Sequence, residues 1–248
     1  TPKIYFDDIQ VYPDLSNKKA VVKMVLKSTS STATPVHLKI NAQSFNSDKV
    51  HTLTPISHDY IMKKGILNCE MVLEMGNNML TWDEFNPALY KLTAELTNGK
   101  KKEVKQIQFG MREFAIKGKW FYVNGRQTQL RGTVECCTFP LTGYPPTDVK
   151  SWERIFRICR SSGLNHIRFH SYCPPEAAFI AADLVGIYLQ PEGPAWPNHG
   201  VRLGNGAPID KYLMDETIRL TREYGNYASY CMLASGNEPS GNWVAWVT

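Results

Sequence analysis

The feature that most limits what this chain can fold into is a change of hydrophobic period near residue 112. Before it, apolar residues recur at every second position: Val22, Met24 and Leu26 in "AVVKMVLKS", then Val36, Leu38 and Ile40 in "PVHLKINAQ". Side chains two apart on an extended backbone share a face, so these runs are strands with one buried side. "ILNCEMVLEM", "ALYKLTAEL" and "EVKQIQFG" continue the series, with Pro13-Asp14, Gly76-Asn77-Asn78 and Asn98-Gly99 supplying turns. About seven short strands with no strong helix predict an immunoglobulin-like β-sandwich over residues 1–112. Only the architecture follows, because the Cys-Trp-Cys spacing of antibody domains is absent.

After "FYVNGRQTQLRG" the pattern alternates between short apolar runs and helical spacing. In "DVKSWERIFRICRSSG", Trp152, Ile155, Phe156 and Cys159 fall on one helical face, and Gly163 ends the run. "LNHIRFH" reads as a strand, "PPEAAFIAADLVG" as a helix between prolines and Gly186, and "IYLQPE" as a strand. "IDKYLMDETIRLTREYG" is a third helix with Asp210 as N-cap, "YASYCMLAS" the next strand, and Ser240 the start of a further helix. Alternation of this kind predicts parallel βα units. The stretch 131–143 lacks the G-x-G-x-x-G turn of a doubly wound sheet, so residues 113–248 are expected to form the N-terminal half of a (β/α)8 TIM barrel.

Polar residues gather at the carboxyl ends of the expected strands, where barrel enzymes place their chemistry. Arg168 and His170 follow the second strand, Glu192 the third, and Asn237-Glu238 the fourth. From the residues alone, Asn237 and Glu238 read first as the cap and acidic first turn of the next helix, with a catalytic pair as the alternative. Arg168 binds a ligand or braces the barrel by ion pairing; Trp196 and His199 line a subsite or pack a loop.

Composition removes other classes. A net charge of +5 is scattered apart from Lys100-Lys101-Lys102 in a turn, with no basic stripe for nucleic acid. No run approaches the about 18 apolar residues of a membrane helix, and the N-terminus lacks the charged and apolar regions of a signal peptide. Six cysteines show neither a disulfide scaffold nor C-x-x-C zinc spacing, and the adjacent Cys136-Cys137 are filler, redox or metal-binding thiols. Compartment stays open.

The order of motifs resembles glycoside hydrolase family 2, the β-galactosidase, β-glucuronidase and β-mannosidase family. The landmarks are Asn86-Pro87-Ala88-Leu89-Tyr90, Phe109-Gly110-Met111-Arg112, then Phe121, Asn124-Gly125 and Arg131-Gly132. "GLNHIRFHSYCPPEAAFIAADLVGIYLQPE" and "SGNE" follow in matching order. The resemblance implies a retaining, exo-acting β-glycosidase in which Glu238 is the general acid/base and Asn237 hydrogen-bonds the sugar 2-hydroxyl. It further implies substrate contacts from Arg168, His170, Glu192 and Trp196.

Some positions depart from the family. Cys136-Cys137 stand where many galactosidases and glucuronidases carry His-Glu, and Ser171 aligns with a family histidine that His170 precedes by one residue. The ligand pattern of metal-dependent relatives is replaced by Trp196 and Asn198, so no metal and no cofactor are expected. The family's nucleophile lies on a later strand and its N-terminal sugar-binding domain precedes the sandwich. The sequence therefore reads as a fragment, without its nucleophile and inactive alone, that self-associates or docks the missing remainder of the barrel. The expected partner is a carbohydrate. A noncatalytic binding or assembly module is the competing reading.

Overall fold

The structure, a computed structural model, describes residues 3–196, 202–238 and 240–242. Two compact units, Thr1–Gln127 and Thr128–Thr248, divide the chain.

In the first unit, strands β1 (Ile4–Asp14), β2 (Lys19–Ser28) and β5 (Gly65–Glu74) form one antiparallel sheet in the order β1-β2-β5. Strands β3 (Thr34–Phe45), β4 (Ile56–Met62), β6 (Leu89–Asn98) and β7 (Lys101–Phe109) form a second, ordered β4-β3-β6-β7. The alternate residues named above are the buried ones: Val22, Met24 and Leu26 join Leu38, Ile40 and Leu92 in a single core drawn from both sheets. Each large apolar side chain removed from water contributes about 1.5–3 kcal/mol, which is why the two sheets close on each other as a sandwich. One buried polar group needed its own solution. The Tyr90 hydroxyl accepts from Leu80 N at 2.9 Å and lies 2.7 Å from His51 Nδ1. A small sheet ordered β10-β9-β8 follows, built of β8 (Phe114–Lys117), β9 (Trp120–Val123) and β10 (Arg126–Thr128), with β8 and β9 antiparallel.

In the second unit, β11 (Gly132–Glu135), β12 (His166–Phe169) and β13 (Tyr188–Gln190) are parallel neighbours in that order. Helices α1 (Val149–Ser161) and α2 (Glu176–Val185) provide the crossovers, and α3 (Pro208–Tyr224) comes after β13. Asp148 starts α1 by accepting from Ser151 N at 2.9 Å, an N-cap that satisfies one orphan amide. Trp152 and Phe156 of α1 and Phe179 of α2 bury themselves against Ile167 and Phe169 of β12. Because neighbours on a strand face opposite ways, His166 and Arg168 are left on the face away from this cluster. That alternation gives the sheet one apolar and one polar side.

Three expectations need correction. Helix α3 begins at Pro208 with Ala207 as N-cap, since proline tolerates the first helical position; Asp210 instead accepts from Gly204 N and Gly206 N. "YASYCMLAS" is not a continuous strand. It pairs in parallel only at Leu189↔Tyr230 and Glu192↔Ala234, because the amides of Ala228 and Ser229 turn to the Asp183 carboxylate of α2. Ser240 does not open a helix: its carbonyl accepts from Leu203 N, and Gly241 bridges to Leu203. The remainder of that expected helix, residues 243–248, and the candidates Asn198 and His199 lie outside the described residues.

Candidate active site

The carboxyl edge of the parallel sheet brings six sequence candidates into linked contacts. Arg168, one residue from the end of β12, donates from Nε to Glu192 Oε1 at 2.5 Å and from Nη2 to Asn237 Oδ1 at 2.8 Å. Glu192 is buried, with 1% of its side chain exposed, and its second oxygen accepts from Ser171 N at 2.8 Å. A carboxylate so deep in the protein is tolerable only when its lone pairs are met by charge and by hydrogen-bond donors, and here both are supplied. The guanidinium is a donor without acceptor capacity, so its contact fixes the Asn237 amide with oxygen toward Arg168 and leaves the NH₂ for another partner.

The backbone bends where these residues gather. Ser171 and Glu238 both adopt positive φ, 62° and 44°, in the left-handed region that non-glycine residues rarely enter. The bend after β12 carries His170 against Trp196, ring centroids 4.7 Å apart at 72°, and its Nδ1 lies 3.1 Å from Ser171 Oγ. Trp196 in turn donates its indole N–H to Glu238 Oε2 at 2.8 Å. The Glu238 residue is exposed.

Two segments, 192–196 and 234–238, are stitched together. Gly193 N donates to Ala234 O at 2.9 Å, and Asn237 N to Ala195 O at 2.9 Å. The approach is so close that a Cβ on Gly193 would lie 2.6 Å from Ser235 O, and one on Gly236 2.6 Å from Ala195 O. These glycines were not among the sequence candidates, although each adjoins one in "PEGPAW" and "SGNE".

Other groups stand beside this set. Glu135, at the end of β11, offers its carbonyl to His170 N at 2.8 Å, while burial pushes its carboxyl group up in pKa. Cys136 and Cys137 are exposed free thiols, and burial raises the Cys137 thiol, with the Glu135 charge adding to it. His166 is buried on the polar face, and burial holds its imidazole below the usual pKa. Among the described residues no group of three or more His, Cys, Asp or Glu is placed to hold a metal ion, and no helix is long and apolar enough to cross a membrane.

Residues 4–112 match the family model described as "Glycosyl hydrolases family 2". A β-galactosidase of Oenococcus oeni is 22% identical over 96% of this chain, and one of Staphylococcus xylosus is 31% identical over 50% of it. The chain spans 24% and 12% of those two relatives. Among solved structures, a β-glucuronidase of Parabacteroides merdae covers 97% of the chain with a TM-score of 0.79 at 21% identity. A glycosyl hydrolase family 2 member from Bacteroides cellulosilyticus covers 96% with a TM-score of 0.81 at 22% identity. The chain corresponds to 30% and 31% of those two structures, and at such identities the likeness is one of fold. The family model and the curated relatives show what the chain is similar to: residues 4–112 resemble a domain of the family 2 glycosyl hydrolases, and the chain as a whole resembles β-galactosidases.

Proposed function

We propose that this chain is the immunoglobulin-like domain (residues 1–112) and the first half of the (β/α)8 catalytic barrel (residues 113–248) of an exo-acting retaining β-glycosidase, galactosidase- or glucuronidase-like. The observation that carries the reading is the pairing of an exposed Glu238 with a buried, oriented Asn237 at the carboxyl edge of a parallel sheet.

Glycoside cleavage by retention needs one carboxylic acid to protonate the departing oxygen and then, as carboxylate, to activate water. Glu238 takes that role, because its exposure lets it reach a sugar while its neighbours fix its direction. Asn237, with Oδ1 held by Arg168, presents its NH₂ as a donor to the sugar 2-hydroxyl, a contact that strengthens as positive charge builds on the ring. Arg168 and Glu192 act as the scaffold of that amide. His170 and Trp196 border the sugar on the Glu238 side. A second carboxylate must stand about 5–5.5 Å from the first to act as nucleophile. Glu192 is committed to Arg168 and to Ser171 N, so no residue of this chain is assigned that role, and the 248-residue polypeptide by itself is expected to show no turnover.

The test is Glu238→Gln in a glycosidase-active polypeptide containing this sequence, assayed on β-galactosides and β-glucuronides with poor and with activated aryl leaving groups. Loss of about 10²–10⁴-fold is expected on the poor leaving groups, where proton donation matters most. The activated substrates should still glycosylate the enzyme, and azide should rescue the second step. Equal loss on both, with no azide effect, returns Glu238 to a structural role.

A further inference from the structure

We infer that Trp196 is the positioning residue of Glu238: it fixes which carboxyl oxygen carries the transferable proton, and His170 buttresses it. This rests on the acid/base reading above and assigns Trp196 a task other than contact with the sugar.

Indole nitrogen has one N–H and no acceptor capacity. Its bond to Glu238 Oε2, at 2.8 Å, therefore persists in both protonation states only if Oε2 remains the acceptor. When the carboxyl group is protonated, the proton is favoured on Oε1, because a carbonyl oxygen accepts better than a hydroxyl and Oε2 keeps the indole bond best as the carbonyl. Oε1 is thus the oxygen that delivers the proton and later receives one from water.

The backbone shows that this pairing is built in. The hydrogen bonds from Gly193 N to Ala234 O and from Asn237 N to Ala195 O hold the two segments in register, one residue before Trp196 and one before Glu238. Neither glycine tolerates a Cβ at that separation, so the register depends on both. Glu238 is bent into positive φ, which aims its side chain out of the strand alternation. On the far side of the indole, His170 packs its ring at 72° to the Trp196 plane and is itself near Ser171 Oγ. Ser171, His170, Trp196 and Glu238 consequently form a chain of contacts from the end of β12 to the acid.

A donor aimed at a carboxylate stabilises its ionised form, so losing the indole N–H should raise the pKa of Glu238. Charged or titratable groups at the same edge are Glu135, Arg168, His170 and Glu192, contributed by the ends of β11, β12 and β13. They are common to the wild type and both Trp196 variants, so the difference between those proteins reports Trp196.

The experiment uses the full 248-residue chain with ¹³C-labelled glutamate carboxyl groups, titrated by NMR; Glu238→Gln identifies the resonance. Two variants remove the N–H: Trp196→Phe, and replacement of Trp196 by 3-benzothienylalanine, which keeps the ring shape and substitutes sulfur for N–H. Both should raise the Glu238 titration midpoint by about 0.5–1 pH unit. In the active glycosidase, the alkaline limb of kcat/KM against pH should move up by the same amount. The rate loss should concentrate on poor leaving groups, and His170→Ala should move the limb in the same direction by less. An unmoved midpoint in the benzothienylalanine protein overturns the inference whatever Trp196→Phe does to folding. If Glu238→Gln leaves turnover intact while the midpoint still moves, the acid/base assignment fails and the contact stands as structure alone.

Discussion

Glutamine at position 192 tests whether the Arg168–Glu192 pair organises the carboxyl edge. Glu192→Gln preserves shape and removes charge. The carboxylate serves two donors, Arg168 Nε at 2.5 Å and Ser171 N at 2.8 Å. A carboxamide can accept from only one of them, so its NH₂ must face the other, donor against donor. Breaking a buried pair by removing one partner costs about 3–5 kcal/mol. Arg168 keeps 31% of its side chain in water and retains its bond to Asn237, which lowers the figure to about 2–3 kcal/mol. Urea unfolding of wild type and variant measures this, with two transitions allowed for because the chain has two compact units. Only the transition of the unit 128–248 should move. Arg168→Met with Glu192→Leu, which removes both charges, should be less destabilised than Glu192→Gln alone. A Glu192→Gln protein within about 0.5 kcal/mol of wild type, the scatter of ordinary surface substitutions, would refute the reasoning.

Three further outcomes follow from named contacts. Gly236→Ala should destabilise by about 1–3 kcal/mol, as its Cβ would meet Ala195 O at 2.6 Å from a φ of +151°, and should depress activity through the shifted Asn237 and Glu238; unchanged unfolding and kinetics would contradict this. Asp148→Ala should lower the stability of the unit 128–248 by uncapping α1, with Asp148→Asn recovering most of the loss in the same urea titration. His166 is held neutral by burial, its pKa lying below the ordinary value, so the unfolded chain binds the proton more readily. Stability should therefore be lost as pH falls from about 6.5, and that slope should flatten in His166→Gln when unfolding is measured from pH 8 down to pH 5.

Period and spacing carried the sequence reading as far as local rules reach. Alternation at Val22-Met24-Leu26 and Val36-Leu38-Ile40 marked the faces that fill the sandwich core, because a two-residue period has a single geometric consequence. Trp152 and Phe156 likewise marked the buried side of α1. The start of α3 was misplaced because Asp210 is a good cap by type, whereas Pro208 fixes the turn two residues earlier and frees Asp210 to bind loop amides. The break in "YASYCMLAS" was invisible for a different reason. At its amino end the cause is Asp183, 46 residues away in sequence, which takes the Ser229 amide that a longer strand would give to its neighbour.

The site divides along the same line. Position at strand ends nominated Arg168, His170, Glu192, Asn237 and Glu238, since parallel strands deliver their carboxyl ends to one edge, while the roles given to them and to Trp196 came with the family resemblance. Which of them touch was decided by bends that no periodicity encodes: positive φ at Ser171 and Glu238, and two glycines that let segments 192–196 and 234–238 approach within backbone hydrogen-bonding distance. The strand-alternation rule puts His170 on the face of Arg168, two residues earlier, but does not name its partner. At the turn of Ser171 its ring lies against Trp196, whose N–H has Glu238 as an acceptor. A site of this kind is specified by its exceptions to regular structure, and each exception has a glycine or a strained residue to mark it.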